Sequence, residues 1–452
     1  MLTRIEIDGF KSFDHFALDF EPFMVLLGQN AAGKSNLFDA LRFLSATATR
    51  DLPGATNDVR GGARGLFRQY ANGKVAGTIS FAAELLLPAR FRAPSGEELE
   101  QSQTLVRYEV QVGVRTLANG LERLVVLSER LGPTRPRNGT WATRLSAAQS
   151  RQWLKYRPGT PWLSTGGLAD EPVFTVLEAG REPLRFGPAA HEATALSRVT
   201  IGDSKHLFAV REELRSWRFL QLDPAALRRP SNVLANETLD PDGSNLPTVL
   251  ARIRAETKSE DRPDGALGDI AMELGGLIDG FRDFEVEEDK YRNEYRVRIR
   301  MRNEPALQAQ VASDGTLRLL ALWSLLYDPG RIGLVCVEEP ENGVHPGGLA
   351  QLIGRIREAV RPEDPPESDA PLRVTQLLMN SHSPVVLAAL EDGEGVFLDT
   401  TTVVTPGGDP PPARRSRVRI VRRLPAGTDN EVTPQEADRY LSHARPQDKE
   451  AR

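Results

Sequence analysis

A glycine-rich loop, a pair of adjacent carboxylates and a late histidine are the residues of this 452-residue chain whose types and spacing do chemistry. Gly28-x-x-x-x-Gly33-Lys34-Ser35 has the spacing of a loop whose glycines let backbone N–H groups turn inward around a polyphosphate at a helix N-terminus. Lys34 then reaches the β- and γ-phosphates and the Ser35 hydroxyl holds Mg²⁺. Gly28, Asn30, Gly33, Lys34, Ser35 and Asn36 are therefore nucleotide-binding candidates. Further on, Glu338 and Glu339 end an apolar run, one acid to orient Mg²⁺ through its waters and one to align an attacking water. His382 follows Gln376-Leu377-Leu378-Met379-Asn380 just before a helix start and is placed for a γ-phosphate. Ser313-Asp314-Gly315 opens a helix, which is an anion-binding arrangement, although any N-cap reads alike. Gln69, ahead of a strand, is a candidate for sensing the metal and equally an ordinary surface glutamine.

These residues need strands and helices to bring them together. Phe23 to Leu27 is an apolar run suited to a buried strand, and Leu37, Ala40, Leu41 and Leu44 recur at helical spacing after Lys34, so the loop joins strand to helix. Strand side chains alternate, so Glu338 and Glu339 start on opposite faces and a turn at Pro340 must bring the second acid to the phosphate. Before the loop, Leu2 to Ile7 reads as an edge-type strand and Phe16 to Phe20 as a second. Short strands are expected near 75–86, 104–114, 122–128 and 172–176, with irregular Gly-, Pro- and Arg-rich excursions over 132–170. Residues 225–280 are mainly helical.

Phe284 to Glu287 and Tyr295 to Arg302 alternate strictly and form a β-hairpin whose arginines either meet nucleic acid or pair with Glu285 and Glu287 across the strands. A second basic strand, Arg414 to Arg423, has no adjacent acidic run and is open to nucleic acid or an acidic partner. Thr433-Pro434-Gln435-Glu436 is a capping box opening a short C-terminal helix.

Bulk composition narrows the classes. With 40% hydrophobic and 26% charged residues and a net charge of −5, the chain is an ordinary globular protein, and any DNA contact must come from a local patch. The single Cys336 lies in an apolar run and permits no disulfide framework, and no apolar stretch reaches membrane-spanning length, which together point to the cytoplasm and to no membrane contact of its own.

Taken in order, these motifs resemble the ABC-type ATPases of the SMC, RecF and OLD group, and most closely their stand-alone predicted-ATPase members. The resemblance runs from Met1 to about Val404 and rests on Ile7 to Phe13, the loop ending Lys34-Ser35-Asn36, the signature Ser313-Asp314-Gly315, the Glu338-Glu339 pair, the D-loop-like Pro340 to Pro346 and the switch histidine His382. It implies an α/β ABC-type P-loop ATPase head with a mixed sheet, an N-terminal antiparallel β-subdomain and a helical signature lobe. Its divisions are 1–200, 201–328, 329–425 and a terminal helix and tail at 426–452. It further implies a homodimer around two ATP molecules, in which Ser313 and Gly315 of one head meet the γ-phosphate held by Lys34 of the other. Glu339 is then the catalytic carboxylate, Glu338 the Mg²⁺ carboxylate and His382 the γ-phosphate sensor. Lys11 and Ser12 lie near the base and α-phosphate.

Glu338 stands where this group usually has Asp, so slow turnover is expected, and the signature lacks the second glycine of transporter-type sequences. The long interval from Gly33 to Ser313 disfavours a transporter head, the Glu338-Glu339 pair with His382 disfavours a nucleotide kinase, and too little chain follows for an OLD-type nuclease domain. The leading expectation is an ATPase switch that regulates a separate effector, such as a nuclease, in bacterial anti-phage defence. The rival is a DNA-repair or chromosome-maintenance ATPase that clamps DNA, and a nucleotide-binding scaffold that never hydrolyses stays open.

Overall fold

The computed structural model describes residues 1–29, 31–70, 72–92, 96, 98–116, 119–137, 145–168, 171–178, 180–187, 191–330, 333–361, 375–403, 413–422 and 431–443. Asn30, the loop at 361–372 beyond its first residue and the tail after 443 lie outside them.

A seven-stranded mixed sheet runs, in spatial order, Arg218–Leu220, Leu334–Glu338, Gln376–Asn380, Phe23–Gly28, Gly395–Val403, Ala413–Val421 and Glu431–Val432. The first five are parallel, and Ala413–Val421 returns antiparallel to Gly395–Val403. Phe23–Gly28 is central and buried at every residue, because a parallel strand covered on both faces has to be apolar throughout. Its alternation divides the interior: Met24 and Leu26 enter one core cluster, while Phe23, Val25 and Leu27 enter the other. Leu334 and Cys336 likewise face the first cluster, and Val335 and Val337 the second.

The first cluster is closed by helix Lys34–Thr47 and by an eight-stranded antiparallel sheet of order Leu184–Phe186, Pro172–Val176, Leu163–Gly167, Glu122–Pro133, Leu105–Thr116, Thr78–Leu86, Leu2–Asp8 and Phe16–Asp19. Leu2–Asp8 is not an edge strand, since it pairs with Phe16–Asp19 on one side and Thr78–Leu86 on the other. The edge belongs to the shorter Phe16–Asp19, the cheaper strand to leave half-paired. Within 132–170, strand Leu163–Gly167 and helix Ala147–Trp153 replace part of the expected irregular excursion, the helix being started by a capping box of Ser146 and Gln149.

The second cluster gathers helices Leu246–Thr257, Ala266–Leu277, Asp314–Leu326 and Pro346–Ala359 with the antiparallel hairpin Phe281–Asp289 and Glu294–Met301. The fold is thus α/β: a mixed sheet, an antiparallel β-subdomain on one side and a helical lobe carrying Ser313 on the other.

Candidate nucleotide site

Parallel register aligns three strand ends. Glu338 lies opposite Asn380, and Asn380 opposite Leu26, so the glycine-rich loop, the carboxylate pair and the His382 turn leave the sheet side by side at its carboxyl edge. That edge is where open α/β sheets bind ligands.

Lys34 opens helix Lys34–Thr47 and is 6% exposed. Its Nζ donates to Gly28 O at 2.6 Å and to Gln29 O at 3.0 Å, which sets the ammonium inside the curve of the loop. Burial lowers it to about 8, against the opposing pull of Glu339. Ser35 is half-buried beside it, and Asn36 Nδ2 donates to Ser12 Oγ at 2.9 Å.

Ser12 is thus joined to the residue after Ser35, whereas the Lys11 side chain turns to the helix flank. Lys11 has φ 48°, and its ammonium is held 2.6 Å from Asp39, which is 2% exposed and also paired with Arg60 at 2.9 Å. Gln69 is exposed and bridges Val75 through its backbone, two residues beyond Phe67, the bridge partner of Phe10. The antiparallel bridge sets Leu66 against Lys11 and Arg68 against Gly9, so Gln69 runs away from Lys11, and it makes no hydrogen bond to Ser35 or Glu338 among the described residues.

The carboxylate pair separates at Glu339 itself, one residue before the expected turn at Pro340. Glu338 ends the strand, and Glu339 adopts φ 45°, a left-handed conformation that costs a non-glycine residue of order 1 kcal/mol. What holds it there is Asn380, 4% exposed, whose Oδ1 accepts the Glu339 N–H at 2.7 Å. The Glu339 carboxylate then accepts from Asn342 Nδ2 at 2.8 Å and lies 3.7 Å from His382 Nε2. Burial and the Lys34 charge lower His382, so its ring is neutral at pH 7 with Glu339 pulling the other way. Burial raises Glu338, opposed by Arg60 and Arg42. Glu341, in the following turn, is also raised by burial; Ser381 Oγ donates to its Oε1, while its Oε2 has no partner among the described residues.

The signature segment packs on the turn that follows the carboxylate pair. Ser313 caps helix Asp314–Leu326, accepting from Thr316 N at 3.2 Å, and Asp314 pairs with Arg228. A Cβ on Gly315 would stand 2.1 Å from Gly343 O, so only glycine lets the helix start rest against the turn that follows Glu341. Among the described residues no hydrogen bond joins Ser313 or Gly315 to Lys34, Ser35, Glu339 or His382.

Several arginines of the two basic strands pair with acids within the fold. Arg298 pairs with Glu287 at 2.7 Å, Arg300 with Glu285 and Arg296 with Asp289 at 3.0 Å, the charge-paired alternative for the hairpin. On the second strand, which has no adjacent acidic run in sequence, Arg417 and Arg419 lie 2.7 and 3.0 Å from Asp399 of the neighbouring strand. That acid is distant in sequence and so invisible to a local charge count.

A family profile described as "AAA domain, putative AbiEii toxin, Type IV TA system" matches residues 161–388, half of the chain. The chain belongs to this AAA-domain family. A second profile, "AAA domain", matches residues 4–122 of the AAA-domain protein. The DNA replication and repair protein RecF of Lactococcus lactis subsp. cremoris (strain MG1363) is 43% identical over 47 residues, 10% of this chain and 13% of that protein, and RecF of Lactococcus lactis subsp. lactis (strain IL1403) matches to the same extent. The chain thus spans only 13% of the length of these curated relatives. Among solved structures, an SmcHead bound to the C-winged helix domain of ScpA aligns with a TM-score of 0.47 and 11% identity over 92% of this chain and 97% of that one. The SMC head domain from Thermotoga maritima aligns at 0.38 and 12% over 93% and 99%. No helix among the described residues is long and apolar enough to cross a membrane.

Asn380, Asp39 and Glu341 were not singled out from the sequence. Each acts on a residue far along the chain, and an Asn at a strand end beside a carboxylate pair was the only readable signal.

Proposed function

We propose that this AAA-domain protein binds and hydrolyses ATP and works as a dimeric switch on a partner effector. The observation that carries the reading is the convergence of Lys34, Glu339 and His382 on one edge, with Glu339 turned to it at φ 45° by Asn380. Phosphate oxygens are stronger acceptors than the Gly28 and Gln29 carbonyls that Lys34 now serves, so an incoming triphosphate takes its ammonium by charge-assisted bonds. Glu339 orients the attacking water and accepts its proton. His382, neutral at pH 7, donates from Nε2 toward the terminal phosphate. Ser35 and Glu338 offer the hard oxygen ligands that suit Mg²⁺, which would neutralise phosphate charge there, and Gln69 stays a lesser candidate. Ser12 and Asn36 serve the loop's flank. Ser313 and Gly315 complete the site only from a second copy, and the divisions at 200, 328 and 425 separate the two parts of the ATPase lobe, the signature lobe and the terminal segment.

The arginine rows, paired with Glu285, Glu287 and Asp399, support a partner switch over a clamp, because they leave fewer cations free for phosphates. The toxin–antitoxin wording of the family description leans the same way, toward a defence setting in the cytoplasm. The RecF match favours the second reading, a DNA-repair clamp. Titrating a DNA duplex with the ATP-bound Glu339→Gln protein at 50 and 200 mM salt separates them. A switch gives ATP-dependent dimers indifferent to DNA, and a clamp with many phosphate contacts loses about 10³-fold in affinity or more across that range.

A further inference from the structure

Ser416 lies on strand Ala413–Val421, beyond the span in which the sequence motifs end, yet it is packed against the glycine-rich loop. It is 4% exposed, and its Oγ stands 2.8 Å from Ser12 Oγ and 2.8 Å from Ala32 O. Its backbone N–H donates to Ser12 O at 3.1 Å, so strand and turn are locked in register. Gly33, at φ 109°, is shaped by the same contact: a Cβ there would meet Ser416 Oγ at 2.3 Å and Ser12 Oγ at 3.1 Å. A hydroxyl in this position is therefore built into the loop and not merely near it.

Proton counting gives the cluster two forms. Ser416 has one hydroxyl proton and two acceptors within reach, and Ala32 O only accepts. When Ser416 donates to Ala32 O, the Ser12 proton completes the contact to Ser416 Oγ, giving a closed relay from Asn36 Nδ2–H through Ser12 and Ser416 to Ala32. When Ser416 donates to Ser12 instead, both lone pairs of Ser12 are filled, by Asn36 and by Ser416, and the Ser12 proton is released for another acceptor. An anionic oxygen arriving beside the loop is such an acceptor and favours the second form, since a hydrogen bond to a charged group outweighs one to a neutral hydroxyl.

We infer that Ser416 is a positioning residue for the nucleotide, turning its O–H from Ala32 O to Ser12 Oγ so that Ser12 donates to a phosphate oxygen of the bound nucleoside triphosphate. The inference rests on the ATP-binding reading above, and its test separates the two. Calorimetric titration with ATP and Mg²⁺ compares wild type, Ser416→Ala, Ser12→Ala, the double variant and Ser416→Thr, with melting of the nucleotide-free proteins as the folding control. Ser416→Ala is expected to weaken ATP about tenfold. The double variant should bind no more weakly than Ser12→Ala, and Ser416→Thr, which keeps the hydroxyl, should recover most of the loss. A purely structural role would lower the melting temperature without this non-additivity or rescue. Should the alanine variant not fold, Ser416→Cys, close in size and weak in hydrogen bonding, carries the same comparison. Wild-type affinity in a folded Ser416→Ala or Ser416→Cys protein, or losses that add independently with Ser12→Ala, would overturn the role of Ser416. Absence of ATP binding by wild type would instead overturn the nucleotide reading itself.

Discussion

Glu129, in the antiparallel sheet, has no exposed surface and is bonded on both oxygens: Tyr108 Oη donates to it at 2.9 Å, and the N–H groups of Ala195 and Leu196 at 2.6 and 3.0 Å. Glu338 and Glu339, in the mixed sheet, are less buried and far less satisfied. The Glu338 carboxylate makes no hydrogen bond among the described residues, and that of Glu339 has Asn342 and a distant His382. A carboxylate whose lone pairs are filled by fixed donors is part of the fold. One set at a sheet's carboxyl edge beside Lys34 with acceptor capacity to spare is poised for metal or water. Burial raises both Glu129, to about 7, and Glu338, so a raised acid alone does not tell the two regions apart; hydrogen-bond saturation does.

Substitution at each acid sharpens the contrast. Glu339→Gln should cut ATP hydrolysis in single-turnover assays by about 10²- to 10³-fold with an unchanged melting temperature. Comparable hydrolysis by that variant would remove Glu339 from the chemistry. Glu129→Ala should do the reverse: two N–H groups and a phenol lose their acceptor in the core, at a cost of about 3 kcal/mol in urea unfolding, with ATP affinity unaltered in whatever remains folded. The Glu129 acid binds a proton more readily folded than unfolded, so its contribution is fully favourable only below its unfolded value and fades as pH rises toward 7. Glu129→Gln should flatten that part of the stability profile.

Smaller effects probe what positions the site. Asn380→Ala frees the Glu339 N–H and should lower kcat about tenfold with KM nearly constant, a split that simple loosening of the sheet would not produce. Lys34, buried among the loop carbonyls, holds its proton only up to about 8. Bound phosphate raises that value, so ATP affinity should be flat below pH 8 and fall by several-fold per unit above it. A flat profile to pH 9.5 would mean that Lys34 does not meet the phosphates.

The elements around the glycine-rich loop were legible because their signals are local. Five apolar residues, a spaced Gly-Lys-Ser and a helical period give strand, loop and helix, and strict alternation at 284–302 gives the hairpin. Residues that act at long range were not. Ser12 and Ser416 are 404 positions apart, and nothing in the pattern around either points to the other. The edge assignment of Leu2–Asp8 failed for the same reason, since strand order is a matter of pairing partners and not of composition. The left-handed turn at Glu339 contradicts local preference and is imposed by Asn380 from another strand.

The central claim is that one chain holds half of each active site, with Lys34 and Glu339 in one copy served by Ser313 and Gly315 of another. Mixing two inactive variants tests it most directly: Lys34→Ala, which keeps the signature, and Ser313→Arg, which keeps the ATP loop. The account predicts that each alone is inert and that an equimolar mixture hydrolyses ATP well above both parents, through heterodimers with one intact composite site. A mixture as inactive as its parents, or full activity in Ser313→Arg alone, would contradict it.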